Sequence, residues 1–262
     1  MPFADLARLA LAFLGAGAIG AQAGETGFLE RDLTLGGRRT RYQIYVPADY
    51  PSRTDWPVIL YLHGAGERGV DGLRPTLAGL GAAIRRAPKR FPAIIVFPQA
   101  RPESQWVGAQ ADLALAALDK TLGEFQVDQA RVYLTGLSMG GHGTWYLAYR
   151  HPERFAAVAP ICGWLKDLPS HGFSVPVVPE ADEPALPALA ARLARMPLWI
   201  FHGELDRVVP VKRSREAAEA LKRTSTLVRY TEFPGLEHNS WDAAYASEAF
   251  VQWLFAQRRP KP

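Results

Sequence analysis

The sequence predicts an α/β fold in which a mostly parallel sheet is covered by helices on both faces. Nearly continuous apolar runs, rich in Val, Ile, Leu and Tyr, have the length of strands, and segments with helical spacing lie between them. Strands that are apolar on both faces are typical of parallel sheets buried between two helical layers. Seven such runs occur, at residues 41–46, 57–62, 93–97, 131–135, 156–161, 197–202 and 227–233.

Two segments between these runs have clear helical spacing. Apolar side chains recur every three or four residues over 111–122 and again over 250–254. We find no internal repeat, low-complexity tract or linker, so we expect residues 24–262 to form one domain. The connection at 164–196 is long and contains five prolines, and we expect it to form a lid or part of a substrate pocket.

The composition excludes several classes of function. The chain of 262 residues has a formal net charge of only +4, and its basic clusters at 85–90 and 258–261 contain no aromatic residues, so we predict no nucleic-acid partner. No stretch beyond the first 23 residues is long and apolar enough to span a membrane. Cys162 is the only cysteine, and its apolar surroundings in the sequence indicate a buried structural thiol rather than a nucleophile. The oligomeric state is left open.

The first 23 residues are interpreted as a signal peptide. Arg8 precedes an apolar stretch at 9–14, and Ala21-Gln22-Ala23 fits the small-residue rule for cleavage, which would leave Gly24 as the first mature residue. A short N-terminal helix and a retained anchor are the alternatives. With cleavage, the protein would be secreted or periplasmic.

The stretch Gly136-Leu137-Ser138-Met139-Gly140 matches G-x-S-x-G and stands between a predicted strand and a predicted helix. In that context the serine occupies a sharp turn with an unusual backbone conformation, and side chains at the two glycine positions would collide with neighbouring backbone. The turn presents the serine at the carboxyl end of the sheet, above a helix N-terminus that favours developing negative charge. Ser138 is therefore the candidate nucleophile.

A serine nucleophile needs a base, and the base needs an acid that orients it. The expected chain order is serine, acid, histidine. His238 lies in a loop between the last predicted strand and the last helix, and it is the candidate base. Asp206 lies in the loop after residues 197–202 and is the candidate acid, with Glu204 of the same loop as the alternative. His202 ends the preceding strand, and we expect it to be packed and hydrogen-bonded.

Glycines at positions 64, 66 and 69 spell G-x-G-x-x-G after a predicted strand, which matches the dinucleotide-binding fingerprint. That interpretation also requires an acidic residue at the end of the next strand, to bind a ribose hydroxyl. The strand at 93–97 ends in Pro98-Gln99-Ala100 and offers no carboxylate. We therefore reject a nicotinamide or flavin cofactor.

The same glycine-rich loop suits acyl transfer. A tetrahedral oxyanion needs two backbone N–H donors, one from the residue after the nucleophile and one from the loop after an early strand. We assign these donors to Met139 and Ala65, with Gly64 as the alternative to Ala65. We expect Glu67 and Arg68 to fix the loop through an ion pair.

These motifs together resemble the esterase and predicted-peptidase branch of the α/β-hydrolase superfamily, near the feruloyl esterases, polyhydroxyalkanoate depolymerases and phospholipase/carboxylesterases. The resemblance implies an α/β-hydrolase fold with Ser138 as nucleophile, Asp206 as acid, His238 as base, and Ala65 with Met139 as the oxyanion hole. The connection at 164–196 is longer than the family pattern, so the substrates of the family are a poor guide to the substrate of this chain. The resemblance spans roughly residues 40–256 and rests on YLHGAGERG, VYLTGLSMGGHGTW, APICG, WIFHGELDRVVP and PGLEHNSWDAAY.

The predicted function is hydrolysis of small-molecule or polymer-linked carboxylic esters through an acyl-enzyme, with no metal and no cofactor. Trp164 and Leu165, at the start of the long connection, are predicted to line the substrate pocket, and Phe173, Val175, Val177 and Val178 to extend its apolar wall. A surface loop with no role in binding is the alternative for this connection. A serine peptidase or amidase with the same three residues is one alternative. A non-catalytic binding module of the same fold is the other, which the complete set of catalytic residue types disfavours.

Overall fold

The computed structural model describes residues 25–168, 171–179 and 184–260. The predicted signal peptide, residues 1–23, lies outside the described residues. Within these ranges the chain forms one eight-stranded sheet. Its strands are β1 (Gly27–Leu35), β2 (Arg38–Val46), β3 (Trp56–Leu62), β4 (Ile94–Phe97), β5 (Val127–Leu137), β6 (Ala157–Ile161), β7 (Leu198–Gly203) and β8 (Val228–Phe233).

The order across the sheet is β1-β2-β4-β3-β5-β6-β7-β8. All neighbours from β4 to β8 run parallel, whereas β1 with β2 and β2 with β4 run antiparallel. The predicted α/β fold with a mostly parallel sheet is confirmed, and each of the seven predicted strands is present.

Helices cover both faces of this sheet. Alternate residues of β3 are divided between two cores, Val58 and Leu60 on one face and Ile59 and Tyr61 on the other, as the two-residue period of a strand requires. Helices α2 to α5 contribute to the first core and α1, α6 and α7 to the second. No helix in the described ranges has the length and apolarity to cross a membrane. The α-helices are α1 (Gly79–Arg86), α2 (Ala109–Glu124), α3 (Met139–Arg150), α4 (Ala185–Arg192), α5 (Lys212–Lys222), α6 (Trp241–Ala246) and α7 (Glu248–Ala256).

The edge strand β1 is missing from the sequence prediction. It pairs only with β2, through a turn in which Gly36 and Gly37 both have positive φ, 55° and 75°. Two consecutive residues of that kind suit the tight turn of a hairpin. An edge strand is partly solvated and carries charged residues, here the run Glu30-Arg31-Asp32, so it lacks the continuous apolar run on which the other predictions depend.

The helix α4 lies inside the 164–196 connection and is also missing from the prediction. Pro184 precedes its first residue and Pro187 lies in its first turn. Because the first N–H groups of a helix have no intrahelical acceptor, prolines at these positions are compatible with a helix. Leu189 and Ala190 are buried and join α4 to the core.

The carboxyl ends of the parallel strands bring the candidate residues to one edge of the sheet. Ala65 follows β3, Ser138 follows β5, Trp164 follows β6, Asp206 follows β7 and His238 follows β8. Ligands of open α/β sheets bind at this edge, where loops from several strands converge.

Candidate active site

Ser138 occupies the single position between β5 and α3, with φ 53° and ψ −116°. A non-glycine residue rarely adopts a positive φ, because its Cβ crowds the backbone. The Ser138 N–H donates to the carbonyl oxygen of Ile161 at 2.9 Å, which ties the turn to the end of β6. The sharp turn predicted for this motif is present.

Gly136 and Gly140 allow this turn to pack directly against β3. A Cβ at Gly136 would lie 2.5 Å from the Gly140 carbonyl oxygen and 2.6 Å from the Leu62 carbonyl oxygen. A Cβ at Gly140 would overlap the same Leu62 carbonyl. The collision predicted at both glycine positions is thus confirmed, and backbone on both sides leaves no flexible side chain to give way.

His238 lies between Ser138 and Asp206. Its Nδ1–H donates to Oδ2 of Asp206 at 2.7 Å, and its Nε2 lies 2.9 Å from Oγ of Ser138. With the proton on Nδ1, Nε2 accepts the serine hydroxyl. The structure therefore brings the candidate nucleophile, base and acid into one hydrogen-bonded row, which has the geometry for proton transfer from a serine nucleophile.

Asp206 is buried, and its carboxylate contacts four donors. Oδ1 accepts the N–H groups of Val208 and Val209, each at 2.8 Å, and Oδ2 lies 3.1 Å from Nε2 of His202 as well as 2.7 Å from His238. Burial raises the pKa of this carboxyl, but the hydrogen bonds from His202, His238 and Val209 outweigh it and hold the pKa far below its ordinary value. Asp206 is therefore ionised at neutral pH and can stabilise positive charge on His238.

Glu204, the alternative acid, points away from this row. Its side chain is exposed, and its Oε2 accepts the N–H of Gly235 at 2.8 Å. The two acids of the loop after β7 therefore differ in burial and in hydrogen-bond partner. Of the two, only Asp206 accepts a hydrogen bond from His238.

His202 is fully buried at the end of β7. Its Nδ1 lies 2.7 Å from Oγ of Ser214, and its Nε2 lies 2.9 Å from the Val209 carbonyl oxygen and close to Asp206. Because Nε2 faces two acceptors it carries a proton, and Ser214 donates to Nδ1. The packed, hydrogen-bonded role predicted for His202 is confirmed. Its contact with the candidate acid was not predicted, although the shared loop could have suggested it.

Ala65 and Met139, the predicted oxyanion donors, lie at two strand ends. Ala65 lines the same cavity as Ser138, and Met139 supplies the first N–H of α3. Neither N–H has an acceptor within the described ranges, as the first N–H groups of a helical turn lack an intrahelical partner. Both N–H groups therefore lack an internal acceptor, and their role as an oxyanion hole stays a prediction.

The peptide between Gly64 and Ala65 is held by His63. The Nδ1–H of His63 donates to the Gly64 carbonyl oxygen at 2.6 Å, and its Nε2 accepts the N–H of Ala100 at 3.0 Å. A trans peptide directs its N–H opposite to its carbonyl, so this bond also sets the direction of the Ala65 N–H. Burial lowers the pKa of His63 to about 4, so the ring is neutral at physiological pH.

The expected ion pair between Glu67 and Arg68 does not occur in the described part of the chain. The Nε–H of Arg68 donates to the Ala65 carbonyl oxygen at 3.0 Å, and another guanidinium N–H donates to the Ser104 carbonyl oxygen at 3.3 Å. The guanidinium also lies 5.8 Å from the ring centre of Phe173. Adjacent residues at the end of a tight turn project to different sides, so Arg68 fixes the loop through backbone carbonyls instead.

Ser138 and His238 open into a cavity of about 310 Å³. Its wall is largely apolar, and two of its aromatic rings, Trp164 and Phe173, have centres 4.9 Å apart. Trp164 is therefore placed where it was predicted. The cavity is lined by Gly64, Ala65, Gly66, Glu67, Leu137, Ser138, Trp164, Leu168, His171, Phe173, Val208, Val209, His238 and Trp241.

The other residues predicted for this wall lie elsewhere. Leu165 lines a second cavity beside α4 and α5, and Val177 and Val178 are buried in the core. Val175 is partly buried and packs against that core without lining the cavity of Ser138. The Val177 N–H donates to the Leu165 carbonyl oxygen at 2.8 Å, which ties both residues to the protein interior. Trp164 is held by His142, whose ring stacks on the indole at 4.9 Å and whose Nδ1–H donates to the Trp164 carbonyl at 2.9 Å. Consecutive side chains diverge here, so Leu165 cannot share the orientation of Trp164.

One group in the described ranges has the side-chain types for a metal ion. Donor atoms of Cys162, Asp206 and His238 lie within 4.8 Å of one another. Two of them already bond to each other, and burial raises the pKa of the Cys162 thiol far above its ordinary value. Because the thiolate is the metal ligand, a neutral buried thiol does not favour metal binding here.

The loop after β3 lacks the geometry of a dinucleotide site. Its glycines lead into a short 3-10 turn at Ala65–Glu67, and the next α-helix, α1, begins at Gly79. A dinucleotide pyrophosphate is bound by a helix N-terminus at this point of the fold. The structure thus agrees with rejection of the G-x-G-x-x-G interpretation.

A family model described as "Putative esterase" matches residues 34–257 of the chain. The match includes β2 to β8 and the three residues of the hydrogen-bonded row, Ser138, Asp206 and His238. It therefore covers both the sheet and the candidate site.

Two curated proteins are similar in sequence. "Putative esterase NocK" of Nocardia uniformis subsp. tsuyamanensis is 28% identical over 146 residues, which are 53% of this chain and 42% of that protein. An "Uncharacterized secreted protein" of Arthroderma benhamiae is 27% identical over 226 residues, which are 79% of this chain and 23% of that protein. The chain spans less than half the length of either relative.

Among solved structures, the crystal structure of a thermostable esterase is similar to this chain with a TM-score of 0.73 and 32% identity. The likeness covers 88% of this chain and 63% of that one. Together with the strand order, it confirms the predicted α/β-hydrolase fold.

Proposed function

Because the chain belongs to the esterase family whose model it matches, we propose that it hydrolyses carboxylic esters through a covalent acyl-enzyme on Ser138. The observation that carries this proposal is the row in which His238 lies 2.9 Å from Ser138 Oγ and 2.7 Å from Asp206 Oδ2. This chemistry requires neither a metal ion nor a cofactor.

In the acylation half of the reaction, Nε2 of His238 takes the hydroxyl proton while Oγ of Ser138 bonds to the ester carbonyl carbon. Asp206 keeps the proton on Nδ1 and stabilises the imidazolium. The former carbonyl oxygen becomes an oxyanion, which we assign to the N–H groups of Ala65 and Met139. Nε2 then gives its proton to the alcohol oxygen, the ester C–O bond breaks and the alcohol leaves.

In deacylation, His238 takes a proton from water, and the resulting hydroxide attacks the acyl carbon. The same two N–H groups bind the second oxyanion. The bond to Ser138 Oγ then breaks, the oxygen recovers its proton from Nε2, and the carboxylic acid is released.

The cavity favours an ester with an apolar acyl or alcohol part. Trp164, Phe173, Trp241 and the neighbouring aliphatic residues would bury apolar groups of the substrate, which is worth about 25 cal/mol for each Å² removed from water. Leu168 and Phe173 bring the 164–196 connection into this wall, which supports a role for that segment in substrate selection rather than in chemistry.

Replacing both Leu168 and Phe173 with alanine tests that role. We expect kcat/KM for p-nitrophenyl acetate to stay within about tenfold, or about 1.4 kcal/mol of barrier, because the small acyl group makes little use of the wall. The preference between long-chain and short-chain p-nitrophenyl esters should shift by more than that factor. Val175→Ala, in the same segment but outside the cavity, is the control. Unchanged relative kcat/KM across the series would show that this segment does not shape the pocket.

We also propose that the protein is secreted or periplasmic. The support is the predicted signal peptide at 1–23 and the similarity to a protein described as secreted. Expression of the full chain followed by N-terminal sequencing of the exported product tests this, with Gly24 as the expected first residue. A product that retains residues 1–23 would contradict it.

The enzymatic proposal is tested with a panel of p-nitrophenyl esters and peptide p-nitroanilides. Ser138→Ala should lower ester turnover by several orders of magnitude in a folded protein, while Ser52→Ala, at an exposed serine, should not. A fluorophosphonate should label the wild-type protein once, at Ser138. Turnover of anilides above that of esters would favour a peptidase or amidase, and a wild-type protein without turnover or labelling would favour a binding module.

A further inference from the structure

Glu67 places a carboxyl group in an otherwise largely apolar wall. Among the described residues that line the cavity of Ser138 and His238, it is the one acid. It lies two residues after Ala65, at the end of the short turn that follows β3. A carboxylate at this position is electrostatically unfavourable for an oxyanion that forms nearby, so its presence calls for a partner.

In the described ranges, Glu67 forms no ion pair with a basic side chain. Oε2 of Glu67 is shielded from solvent and has no hydrogen-bond donor there. It lies against the α-carbon of Gly64, where an added Cβ would come within 3.1 Å of it. The neighbouring cation, Arg68, directs its guanidinium to backbone carbonyl groups.

The pKa of the Glu67 carboxyl is in line with an oxygen that lacks a hydrogen-bond donor. Burial raises the pKa of its carboxyl, and the nearby N–H groups of Gly64 and Glu67 itself offset this effect only in part, without forming a hydrogen bond to Oε2. Buried polar groups in folded proteins are nearly always paired, so an exception at a cavity that opens onto a candidate nucleophile points to a ligand. The side chain as a whole is partly exposed. Glu67 also lines the cavity, and rotation about its soft terminal torsion exchanges the positions of the two carboxyl oxygens.

We propose that Glu67 is a recognition group for the substrate, which binds a hydroxyl or ammonium donor on the ester and disfavours esters that carry a carboxylate. The inference rests on the proposed esterase function, because it assigns a polar subsite to the same cavity. A hydroxyl supplies the missing donor, and an ammonium group in addition neutralises the charge. A substrate carboxylate would instead face Glu67 and the developing oxyanion together.

The test is a matched series of p-nitrophenyl esters of straight-chain acids. At each chain length the far end of the acid carries a methyl, hydroxyl, ammonium or carboxylate group, and kcat/KM is measured for each. In the wild-type protein, the hydroxyl and ammonium esters should be cleaved faster than the carboxylate ester by about tenfold or more at the chain length that reaches Glu67. The preference should vanish at lengths that do not reach it.

Two variants and one control identify the group responsible. Glu67→Gln should remove the discrimination against carboxylate, and Glu67→Leu should also remove the preference for hydroxyl over methyl. The methyl-terminated ester makes no hydrogen bond to Glu67, so in each variant kcat/KM for the other esters is expressed relative to this ester, which cancels any general effect of the lost charge on the oxyanion. Glu219→Gln, which removes the same charge from the exposed face of α5, should leave every ratio unchanged.

Two results would overturn the inference. If both Glu67 variants lower kcat/KM equally for all four end groups, the carboxyl stabilises the loop and does not bind the end group of the substrate. If the wild-type protein shows no preference at any chain length, the subsite does not exist. Either result leaves the esterase function intact, whereas a wild-type protein that cleaves no ester in the series overturns the function and the subsite with it.

Discussion

The dipeptide His-Gly occurs at the carboxyl ends of two strands: His63-Gly64 directly follows β3, and His202-Gly203 closes β7. The two histidines nevertheless bind different kinds of group. His63 and His202 are both fully buried, and both have a hydrogen-bond partner on each ring nitrogen. His63 binds only backbone, the Gly64 carbonyl and the Ala100 N–H, and so orients a peptide. His202 binds a hydroxyl and a carbonyl and also contacts the carboxylate of Asp206.

The difference shows that the same two residues predict a buried histidine at each strand end but do not predict which groups that histidine binds. At β3 the histidine acts on a backbone donor that we assign to the oxyanion. At β7 the histidine contacts Asp206, which we assign as the acid that orients the base. The peptide held by His63 has a second support, because the Gly64 carbonyl also accepts the N–H of Glu67 at 3.4 Å. We therefore expect substitutions at the β7 end to lower kcat more than substitutions at the β3 end.

The largest effect is expected from Asp206→Asn. Asparagine fits the same space, but its amide would favour the wrong tautomer of His238 and would not stabilise the imidazolium, so kcat should fall by about 10³–10⁴-fold. Ester turnover and thermal unfolding are measured together, since the fold should survive. Glu204→Gln is the matched control and should be mild. A severe loss in Glu204→Gln with a mild one in Asp206→Asn would show that the wrong acid has been assigned.

A smaller loss is expected from His202→Leu. Removing the ring deprives Asp206 of one donor and loosens its position, so kcat should fall by about 100-fold while KM changes little. His202→Gln should recover part of kcat, because its amide can donate to the carboxylate. Thr121→Val, which removes a buried hydroxyl in α2, controls for destabilisation alone. If this control lowers kcat as much as His202→Leu does, or if the glutamine variant gives no rescue, His202 has only a packing role.

At the other strand end, His63→Leu should lower kcat by about tenfold. This is less than the loss of a whole oxyanion donor, because the Gly64 carbonyl keeps its bond from Glu67 and the N–H of Met139 is untouched. Steady-state kinetics on one activated ester, with His202→Leu measured alongside, give the comparison directly. A greater loss at His63 than at His202 would reverse the ranking of the two strand ends.

The smallest effect is a pH dependence of stability at the β3 end. Burial holds the pKa of His63 at about 4, whereas the unfolded chain has about 6.5, so the unfolded state takes up a proton that the folded state does not. The free energy of unfolding should therefore fall as the pH drops from 6.5 towards 4, by about 1 kcal/mol for this histidine between pH 7 and 5.5. Urea denaturation of the wild type and of His63→Leu measures it, and the variant should show the shallower dependence. Equal dependence in both would contradict the assignment.

Much of the fold and of the candidate site could be predicted from the sequence, because both depend on local patterns. Apolar runs predicted seven strands, and Gly136 and Gly140 predicted the turn at Ser138 through steric collision. What was missed depends on how loops fold back on themselves. The orientation of Leu165 follows from its hydrogen bond with Val177, and the contact between His202 and Asp206 follows from the path of the loop after β7. The spacing of residues alone predicts neither of these contacts.

The close approach of the Ser138 turn to β3 has a consequence for thermal motion. The Leu62 carbonyl oxygen abuts Gly136 and Gly140, and Ala65 follows Leu62 by only three residues. The separation between Ser138 and the Ala65 N–H is thus fixed over a few backbone atoms, and slow bending of the sheet displaces the two together. His238 and Asp206 are carried by the loops after β8 and β7, and in the described part of the chain no backbone packing of this kind joins those loops to the Ser138 turn. On warming, the alignment of His238, the proposed base, should therefore loosen before Ser138 moves away from the Ala65 N–H. Activity should then decline below the temperature at which the sheet unfolds.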